Sequence, residues 1–339
     1  MKAFKYILFL VLMIVIAVAI YIAVQPNSYE VERSKTMNAP ISVVYNNVID
    51  FKNWESWNSW VEEDSTIAIS LSEKTKGIGG SYTWKEKDGT GSMETIDTEK
   101  NKYIAQIMKF DEFPSANVYW TFSSNEDSTT KVTWHISGEK LPFYFKAYAT
   151  LTGGMDNEIG PYYKRGLELL EEEILKDMKR YSIQIEGVTQ HGGGFYLYNT
   201  TSCKMSDFKQ KMEEMLPKVG GYAISNNIRF AGAPFVIYHK WDEANDAVMF
   251  SCAIPTTSKI TTTESEILTG QLESFKAVKT ILKGDYENLK EAWEKTMLYI
   301  EDNNLETNET GPMLEVYLTD PTSQPNPADW VTEVYIAIK

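Results

Sequence analysis

The second half of the chain contains the same order of predicted elements twice, and this repeat restricts the fold more than any other feature. The first copy reads FYLYNTT, MSDFKQKMEEML, NNIRFAGAPFVIYHKWD, DAVMFSCAIP; the second reads SFKAVKTIL, DYENLKEAWEKTMLYIED, NNLETNETGPMLEVYLTD, WVTEVYIAIK. Each copy predicts a strand, a helix and two strands. Asn226–Asn227 corresponds to Asn303–Asn304, and Tyr238 corresponds to Tyr317. Two such halves predict a pseudo-symmetric sheet with both helices on one side and a groove on the other face.

The N-terminal segment has the composition of a membrane-spanning helix. Lys2 and Lys5 precede an uncharged apolar run from Tyr6 to Val24, close to the ~20 residues that cross a bilayer as a helix. A signal-peptide core is shorter and ends at small residues, whereas Ala17 and Ala19 lie inside the run. The sequence therefore predicts an uncleaved anchor in residues 1–28, with a cytoplasmic N-terminus and the remaining chain exported. A cleaved signal peptide is the alternative.

Charge and residue usage exclude several classes of partner and site. The formal net charge of −14 argues against nucleic acid, because phosphate binding needs a clustered basic face. The three His are scattered and the chain lacks a CxxC motif, so we expect no zinc site and no other cofactor. Cys203 and Cys252 could pair in an exported protein, although two small buried hydrophobic residues are the interpretation we favour.

Residues 29–180 predict a strand, a short helix, many strands and a long helix. The helix PISVVYNNVIDF precedes the Trp-rich stretch FKNWESWNSW, and six short β-rich segments follow at hairpin spacing. The last element, from Phe143 to Arg180, reads as one long helix with a weak point at Gly153–Gly154. This order predicts an α+β module in which a bent antiparallel sheet holds a long helix and encloses a cavity.

Three segments of this module carry a family resemblance: MNAPISVVYNNVIDFKNWESWNSW, GIGGSYTWKEKDGTGSMETID and TKVTWHISG, followed by the helix KRGLELLEEEI. They resemble the SRPBCC superfamily, in particular its polyketide cyclase/dehydrase and lipid-transport (START-like) group. The resemblance implies a helix-grip fold around an apolar ligand cavity, without implying catalysis. The candidate cavity residues are Tyr82, Trp84, Trp120 and Trp134, with ordinary core packing as the alternative. His135 is out of step with Trp134 and is expected to point away.

The segment GPMLEVYLTDP, with TEVYIAI after it, resembles the gyrase-inhibitor-like effector-binding domain found in AraC-type and multidrug-sensing regulators. That resemblance implies a site in which an acidic residue among aromatic rings holds lipophilic cations, and it identifies Glu333 as the matching residue of this chain. The regulators carry a helix-turn-helix part that this chain lacks, so we do not carry over a role in transcription. We expect this domain to occupy residues 181–339, with repeats at about 181–256 and 273–339, after an SRPBCC-like domain at 29–180.

Two Glu-Val-Tyr triplets interrupt the apolar strands of the second repeat. On the last strand Glu333 and Tyr335 alternate with Val334 and Ile336, so the acid is expected to face the groove. Glu315 and Tyr317 are expected to share a face in the same way, and the first repeat has Val236 and Met249 at the two acidic positions. A carboxylate beside aromatic rings suits a large apolar cation, although a solvated sheet face would also hold such acids. The ligand-binding candidates of this domain are Glu333, Glu315, Tyr335, Tyr317 and Trp293.

These features predict a membrane-anchored protein that binds or senses small hydrophobic or amphipathic molecules, which could be cationic. An enzyme of cyclase or hydrolase type, with Glu333 as general base, is one alternative. A structural envelope protein is the other. Binding is favoured over catalysis because no nucleophile elbow, metal motif or other catalytic set is recognisable.

Overall fold

The computed structural model describes residues 2–339 with the exceptions of 88, 112 and 127, and only the backbone of residue 2. Met1, the first residue of the predicted anchor, lies outside the described residues. The chain divides into two compact units, Met1–Asp177 and Met178–Lys339, and the described parts of both are mixed α+β structures built on antiparallel sheets.

The elements of unit 1 follow the order expected from the sequence. They are α1 (Lys2–Ala23), β1 (Ser28–Met37), α2 (Ile41–Ile49), α3 (Ser59–Glu63), β2 (Ala68–Leu71), β3 (Ser81–Glu86), β4 (Gly89–Glu99), β5 (Tyr103–Phe110), β6 (Ala116–Ser124), β7 (Thr130–Glu139), α4 (Phe143–Thr152) and α5 (Met155–Met178). Within the described residues the strands form one antiparallel sheet in the order β1-β7-β6-β5-β4-β3-β2. The helix α1 is long and apolar enough to cross a membrane, by length and composition, with a mean hydropathy of 3.0 over Ala3–Ala23.

The predicted single C-terminal helix of unit 1 is two helices. The helix is interrupted between α4 and α5, where Gly153 and Gly154 have φ angles of +88° and +105°. These values lie in the region that only glycine adopts without strain, so the weak point expected from the sequence is a complete interruption.

The elements of unit 2 form the second sheet. They are β8 (Ser182–His191), β9 (Gly194–Cys203), α6 (Phe208–Ser225), β10 (Phe235–Asp242), β11 (Ala247–Thr256), β12 (Leu268–Leu272), β13 (Phe275–Lys283), α7 (Leu289–Asp302), β14 (Met313–Tyr317) and β15 (Val331–Ala337). The sheet order among the described residues is β12-β9-β11-β10-β14-β15-β13-β8. The order is symmetric about the β10–β14 pair, with β11 matching β15 and β9 matching β13. The two outermost strands are exchanged, since β8 pairs with β13 and β12 pairs with β9.

The two copies of the repeat also end their helices in the same way. Asn227 and Asn304 both take a left-handed conformation, with φ angles of +55° and +52°. Just beyond each asparagine the backbone turns back onto its helix, through Ile228 N to Ala223 O and Leu305 N to Ile300 O, both 2.9 Å. This is the pattern of a helix C-cap, and it gives the paired Asn-Asn sequences a physical reason.

Both helices of unit 2 pack on the same face of the sheet. Met215 of α6 packs with Val236, Phe250 and Tyr317, while Ala292 of α7 packs in a cluster with Val334. The opposite face carries a separate apolar cluster that includes Phe235, Leu314 and Tyr335. The sheet therefore has a helix-covered face and an open face, as the repeat predicts.

Candidate ligand-binding site

Glu315 occupies the centre of the helix-covered face of unit 2. In the register between β10 and β14 it lies directly opposite Val236, the residue that corresponds to it in the first repeat. A residue that pairs with its own counterpart lies on the pseudo-two-fold axis. The axis therefore passes through one carboxylate and one valine side by side, and the site is built around a single acid.

Three hydrogen-bond donors converge on the Glu315 carboxylate. Trp293 Nε1 donates to Oε1 over 2.6 Å, while the hydroxyls of Tyr238 and Tyr317 donate to Oε2 over 2.8 and 2.5 Å. Tyr238 and Tyr317 are the equivalent tyrosines of the two repeats. The duplication thus places one ring on each side of the axis, and the sequence change from valine to glutamate gives both hydroxyls an acceptor.

The carboxylate is buried and surrounded by neutral groups. Glu315 is 2% exposed, and none of the ion pairs found in the described part of the chain involves it. Burial raises the pKa of Glu315 above its ordinary value of 4.5, and the three hydrogen bonds oppose that rise. The same burial, together with the nearby carboxylate, raises the pKa values of Tyr238 and Tyr317 well above 10. A buried carboxylate without a cationic partner is costly, and a buried acid with a shifted pKa is a candidate functional group.

Glu333 lies in a different environment. Its carboxylate accepts a hydrogen bond from the Tyr335 hydroxyl at 2.7 Å and forms an ion pair with Lys279 Nζ at 2.7 Å. The same ammonium lies 5.7 Å from the centroid of the Tyr335 ring. The negative charge of Glu333 is therefore compensated within the protein.

The two acids do not share a face, and the expectation that Glu315 lies in the open groove with Glu333 is wrong. Residues paired across antiparallel strands point to the same side, and Glu315 pairs with Val334 whereas Glu333 pairs with Val316. Glu315 therefore points to the helices, with Tyr317 and Trp293, and Glu333 points to the open face, with Tyr335. Strand alternation was correctly applied to each strand, but the relative register of the two strands was not available from the sequence.

The open face contains a cavity of about 210 Å³. Its lining includes His191, Phe195, Tyr196, Phe235, Leu272 and Val316. The His191 ring contacts Tyr335, with ring centroids 5.0 Å apart, so the cavity lies beside the Glu333–Lys279 pair. Burial lowers the pKa of His191, against the pull of Glu333, which favours a neutral imidazole there. This concavity is mainly apolar and is bordered by compensated charges.

The aromatic candidates of unit 1 form most of its centre. Trp120 and Trp134 stack with centroids 4.3 Å apart, and Trp134 stacks on Tyr163 at 3.8 Å. Tyr82 is 5% exposed and joins the same group of rings. Trp84 is half-buried, stacks with Phe110 at 6.3 Å and covers Gly91. The structure thus brings all four candidates together, because Tyr82 meets Trp84 at 5.5 Å and the ring of Trp54 links Tyr82 to Trp120 and Trp134.

His135 lies on the other side of β7, as the strand alternation predicts. Its Nε2 is 2.7 Å from a carboxylate oxygen of Glu30, on a partly exposed surface.

Three residues of unit 2 that bear on the site were missed at the sequence level. Tyr238 was recognised only as the counterpart of Tyr317, and this equivalence could have indicated that both rings flank one position. Lys279 and His191 are brought to Glu333 and Tyr335 by the pairing of β13 with β15 and β8. Neither has a local sequence signal, because strand order decides which residues meet.

The two cysteines are free, with Cys252 buried and Cys203 half-buried, and burial raises the pKa of Cys252 to about 12.

Comparison with known proteins gives a domain assignment for most of unit 2. Residues 195–339 match the family model of the GyrI-like small molecule binding domain. No curated protein matches the chain. Similar solved structures include the C-terminal domain of EcmrR, with 16% identity, a TM-score of 0.41, and coverage of 47% of this chain and 98% of that one.

Two further similar structures cover a comparable share of the chain. Protein CV1439 from Chromobacterium violaceum has 14% identity and a TM-score of 0.32, with coverage of 44% of this chain and 96% of that one. SAV2435, solved bound to tetraphenylphosphonium, has 15% identity and a TM-score of 0.32, with coverage of 47% of this chain and 94% of that one.

Proposed function

We propose that this protein is a membrane-anchored receptor for small hydrophobic or amphipathic molecules, and that unit 2 binds lipophilic cations at Glu315. The GyrI-like small molecule binding domain at residues 195–339 supports the binding role. The observation that carries the charge preference is the Glu315 carboxylate, 2% exposed and held by three neutral donors.

The aromatic surroundings of Glu315 favour a large, weakly hydrated cation over a metal ion or an ammonium. Tyr238 and Trp293 meet edge to face at 5.5 Å, and Tyr286 meets Tyr317 at 5.3 Å. Ring faces attract cations that have little hydration to lose. The site offers one negative charge and several rings, which fits an organic cation with a delocalised or shielded charge.

Access to the carboxylate requires side chains to move. Tyr238 and Trp293 are half-buried, whereas Glu315 beneath them is almost fully buried. A cation that reaches Glu315 must displace at least one of these hydrogen-bonded rings, and the ion contact must offset that loss. We therefore expect association slower than the 10⁵–10⁷ M⁻¹s⁻¹ that is usual without a conformational change.

The test compares tetraphenylphosphonium with tetraphenylborate, which has the same shape and the opposite charge. Binding to the full-length protein in nanodiscs is measured by titration calorimetry, and the signal of nanodiscs without protein is subtracted to remove partition into lipid. We expect specific binding of the phosphonium and none of the borate. Equal specific binding of both ions would show that shape alone is recognised, and no specific binding of either would refute the site.

For unit 1 we propose the helix-grip function that its resemblance implies, with an apolar ligand held between the sheet and α5. The strand order, with α2 and α3 between β1 and β2 and the long helix last, supports this proposal. The indole Nε1 of Trp57 is buried and has no hydrogen-bond partner in the described part of the chain, which suits a ligand or water that accepts a hydrogen bond. Native mass spectrometry of the detergent-extracted protein would detect a retained apolar molecule.

For α1 we propose an uncleaved membrane anchor, with the positively charged N-terminus in the cytoplasm and both units exported. The exposed apolar side chains from Phe4 to Tyr21 support lipid as their surroundings. The full-length protein should stay in the membrane pellet after a carbonate wash, and a reporter fused after Lys339 should behave as exported. A soluble form that starts near Gln25 would show a cleaved signal instead.

Catalysis is the second candidate, and the geometry moves it from Glu333 to Glu315. A raised pKa and two tyrosine hydroxyls suit Glu315 for general acid–base work on a bound electrophile, whereas Glu333 is paired with Lys279. Turnover of a bound electrophilic ligand that is lost in Glu315→Gln and kept in Glu333→Gln would favour an enzyme over a receptor.

A further inference from the structure

The helix α4 exposes an unusually apolar face. Phe143, Tyr144 and Tyr148 are 52%, 51% and 45% exposed, and Leu151 is 83% exposed. Phe113, from the loop between β5 and β6, is 37% exposed and extends this surface, with its ring 6.0 Å from that of Tyr144. We call these five residues the α4 patch. Contiguous exposed apolar residues of this size mark an interaction surface.

The α4 patch lies beside the end of the apolar helix α1. Lys146 of α4 is 8% exposed, and its Nζ donates to the carbonyl oxygens of Ala23 at 3.1 Å and Gln25 at 2.9 Å. Leu141, just before α4, donates its backbone N–H to Asn27 O at 3.0 Å. A cation at the C-terminal end of a helix is also favoured by the helix dipole. The start of α4 is therefore fixed within one side-chain length of the last turn of α1.

The length of α1 places that last turn at a membrane surface. The apolar stretch Ala3–Ala23 has 21 residues, and at about 1.5 Å per residue it spans roughly 30 Å, the thickness of a bilayer core. When α1 fills the bilayer, the carbonyls that Lys146 binds lie at the boundary between acyl chains and headgroups. The first turn of α4, which carries Phe143 and Tyr144, is then close to the same depth.

We propose that the α4 patch inserts into the headgroup–acyl boundary of the bilayer that α1 spans, as a second membrane contact of unit 1. This proposal rests on the membrane anchor proposed above. Tyrosine and phenylalanine are typical of that boundary, and Leu151 supplies an aliphatic anchor. The break at Gly153–Gly154 ends α4 and leaves α5 free to follow its own direction.

The insertion is apolar and not electrostatic. Lys146 is the one charged residue in the α4 sequence FYFKAYATLT, and its ammonium is occupied by the α1 carbonyls. The contact therefore needs no anionic lipid and does not weaken with salt, in contrast to a polybasic surface. The partner of the α4 patch is therefore the lipid bilayer itself, and a bilayer made only of zwitterionic lipids is sufficient.

The experiment places an environment-sensitive dye on the patch of the full-length protein. Leu151→Cys is made in a Cys203→Ser background, since Cys252 is buried, and is labelled with a nitrobenzoxadiazole dye in phosphatidylcholine nanodiscs. The matched control is Ser123→Cys, an exposed position of β6. Ser123 pairs with Lys131 on β7. Gly138 of the same strand pairs with Tyr29, which follows α1 closely in the chain. Lys131 and Gly138 are about 23 Å apart along β7, so position 123 lies far from the end of α1.

We expect a blue-shifted emission at position 151 and about twofold or greater quenching by spin-labelled acyl chains, both unchanged at high salt, with neither effect at position 123. A dye at 151 that behaves like the one at 123, in protein that is retained in the nanodisc, would overturn the proposal. Failure of the anchor has a different signature, because the protein would then leave the nanodiscs altogether. Melting curves of both labelled variants check that these exposed positions tolerate the change.

Discussion

The two faces of the unit 2 sheet carry the same tripeptide and give it opposite properties. In both Glu-Val-Tyr triplets the tyrosine two residues on donates to the glutamate, at 2.5 Å for Tyr317 and 2.7 Å for Tyr335. On the helix-covered face Glu315 gains only neutral donors and is almost fully buried. On the open face Glu333 gains Lys279. The local sequence thus sets the Tyr–Glu bond, and the neighbouring strands decide whether its charge is left for a ligand.

The largest expected difference between the faces is in cation binding. Glu315→Gln should weaken specific binding of tetraphenylphosphonium by roughly tenfold to a hundredfold, because a desolvated charge contact contributes about 1–3 kcal/mol. Glu333→Gln removes an acid that is already paired and should change the affinity less than about threefold. Titration calorimetry on the two variants measures both. Equal losses in the two variants would mean that the faces do not differ in this way.

The pH dependence of binding sharpens the same comparison. Because burial raises the pKa of Glu315 above 4.5, the carboxylate is protonated over part of the acid range and must lose its proton to bind a cation. Phosphonium affinity should rise with pH, by up to about tenfold per pH unit, and level off above the pKa of Glu315. The rise should vanish in Glu315→Gln and persist in Glu333→Gln. A flat profile for the unmodified protein would show that Glu315 is already ionised.

The same shift has a defined sign for folding stability. A glutamate whose pKa is raised in the folded state binds its proton more tightly there, so stability is greatest below pH 4.5 and falls as pH rises through the folded pKa. The Glu315→Gln variant has no carboxyl group to ionise, so it escapes this fall in stability. The free energy of unfolding of the variant, relative to that of the unmodified protein, should therefore increase from acid to neutral pH, as measured by urea unfolding at several pH values. A constant difference between the two proteins would contradict the raised pKa.

Deleting the two tyrosine hydroxyls tests the hydrogen bonds that the triplets share. Tyr317→Phe leaves a buried carboxylate with one donor fewer and should lower the free energy of unfolding by about 1–3 kcal/mol. Tyr335→Phe acts where Lys279 still holds the carboxylate, and about 0.5–1 kcal/mol is expected. Chemical unfolding of both variants gives the comparison. A larger loss in Tyr335→Phe would mean that the open face depends more on its hydroxyl than its ion pair indicates.

The sequence predicted the architecture of unit 2 better than it predicted the site. Element order, the two-fold repeat and the helices on one face follow from hydrophobic periodicity and paired Asn-Asn caps, which are local signals. The face of the sheet to which Glu315 points depends on the register of β14 against β10 and β15, and Lys279 reaches Glu333 only because β13 pairs with β15. These pairings join segments that are distant in sequence. A register shift of one residue would move the side chains of a strand to the opposite face of the sheet. In unit 1, alternation likewise predicted that Trp120 and Trp134 point inward, but not that they would stack on each other and on Tyr163.

The smallest expected effect is a conversion of the open face into a weak cation site. Lys279→Met removes the cation that compensates Glu333 and leaves the acid beside Tyr335 and the cavity lined by His191. The uncompensated charge should then attract a lipophilic cation, adding a second, weaker binding event with roughly threefold more total uptake of tetraphenylphosphonium at high concentration. Lys276→Met on the same strand is the matched control, because Lys276 is exposed and forms no ion pair described for this chain. If Lys279→Met takes up no more cation than Lys276→Met does, the open face lacks the shape to hold one. The two faces of the sheet would then differ in the shape of the space beside each acid as well as in whether the charge of that acid is compensated.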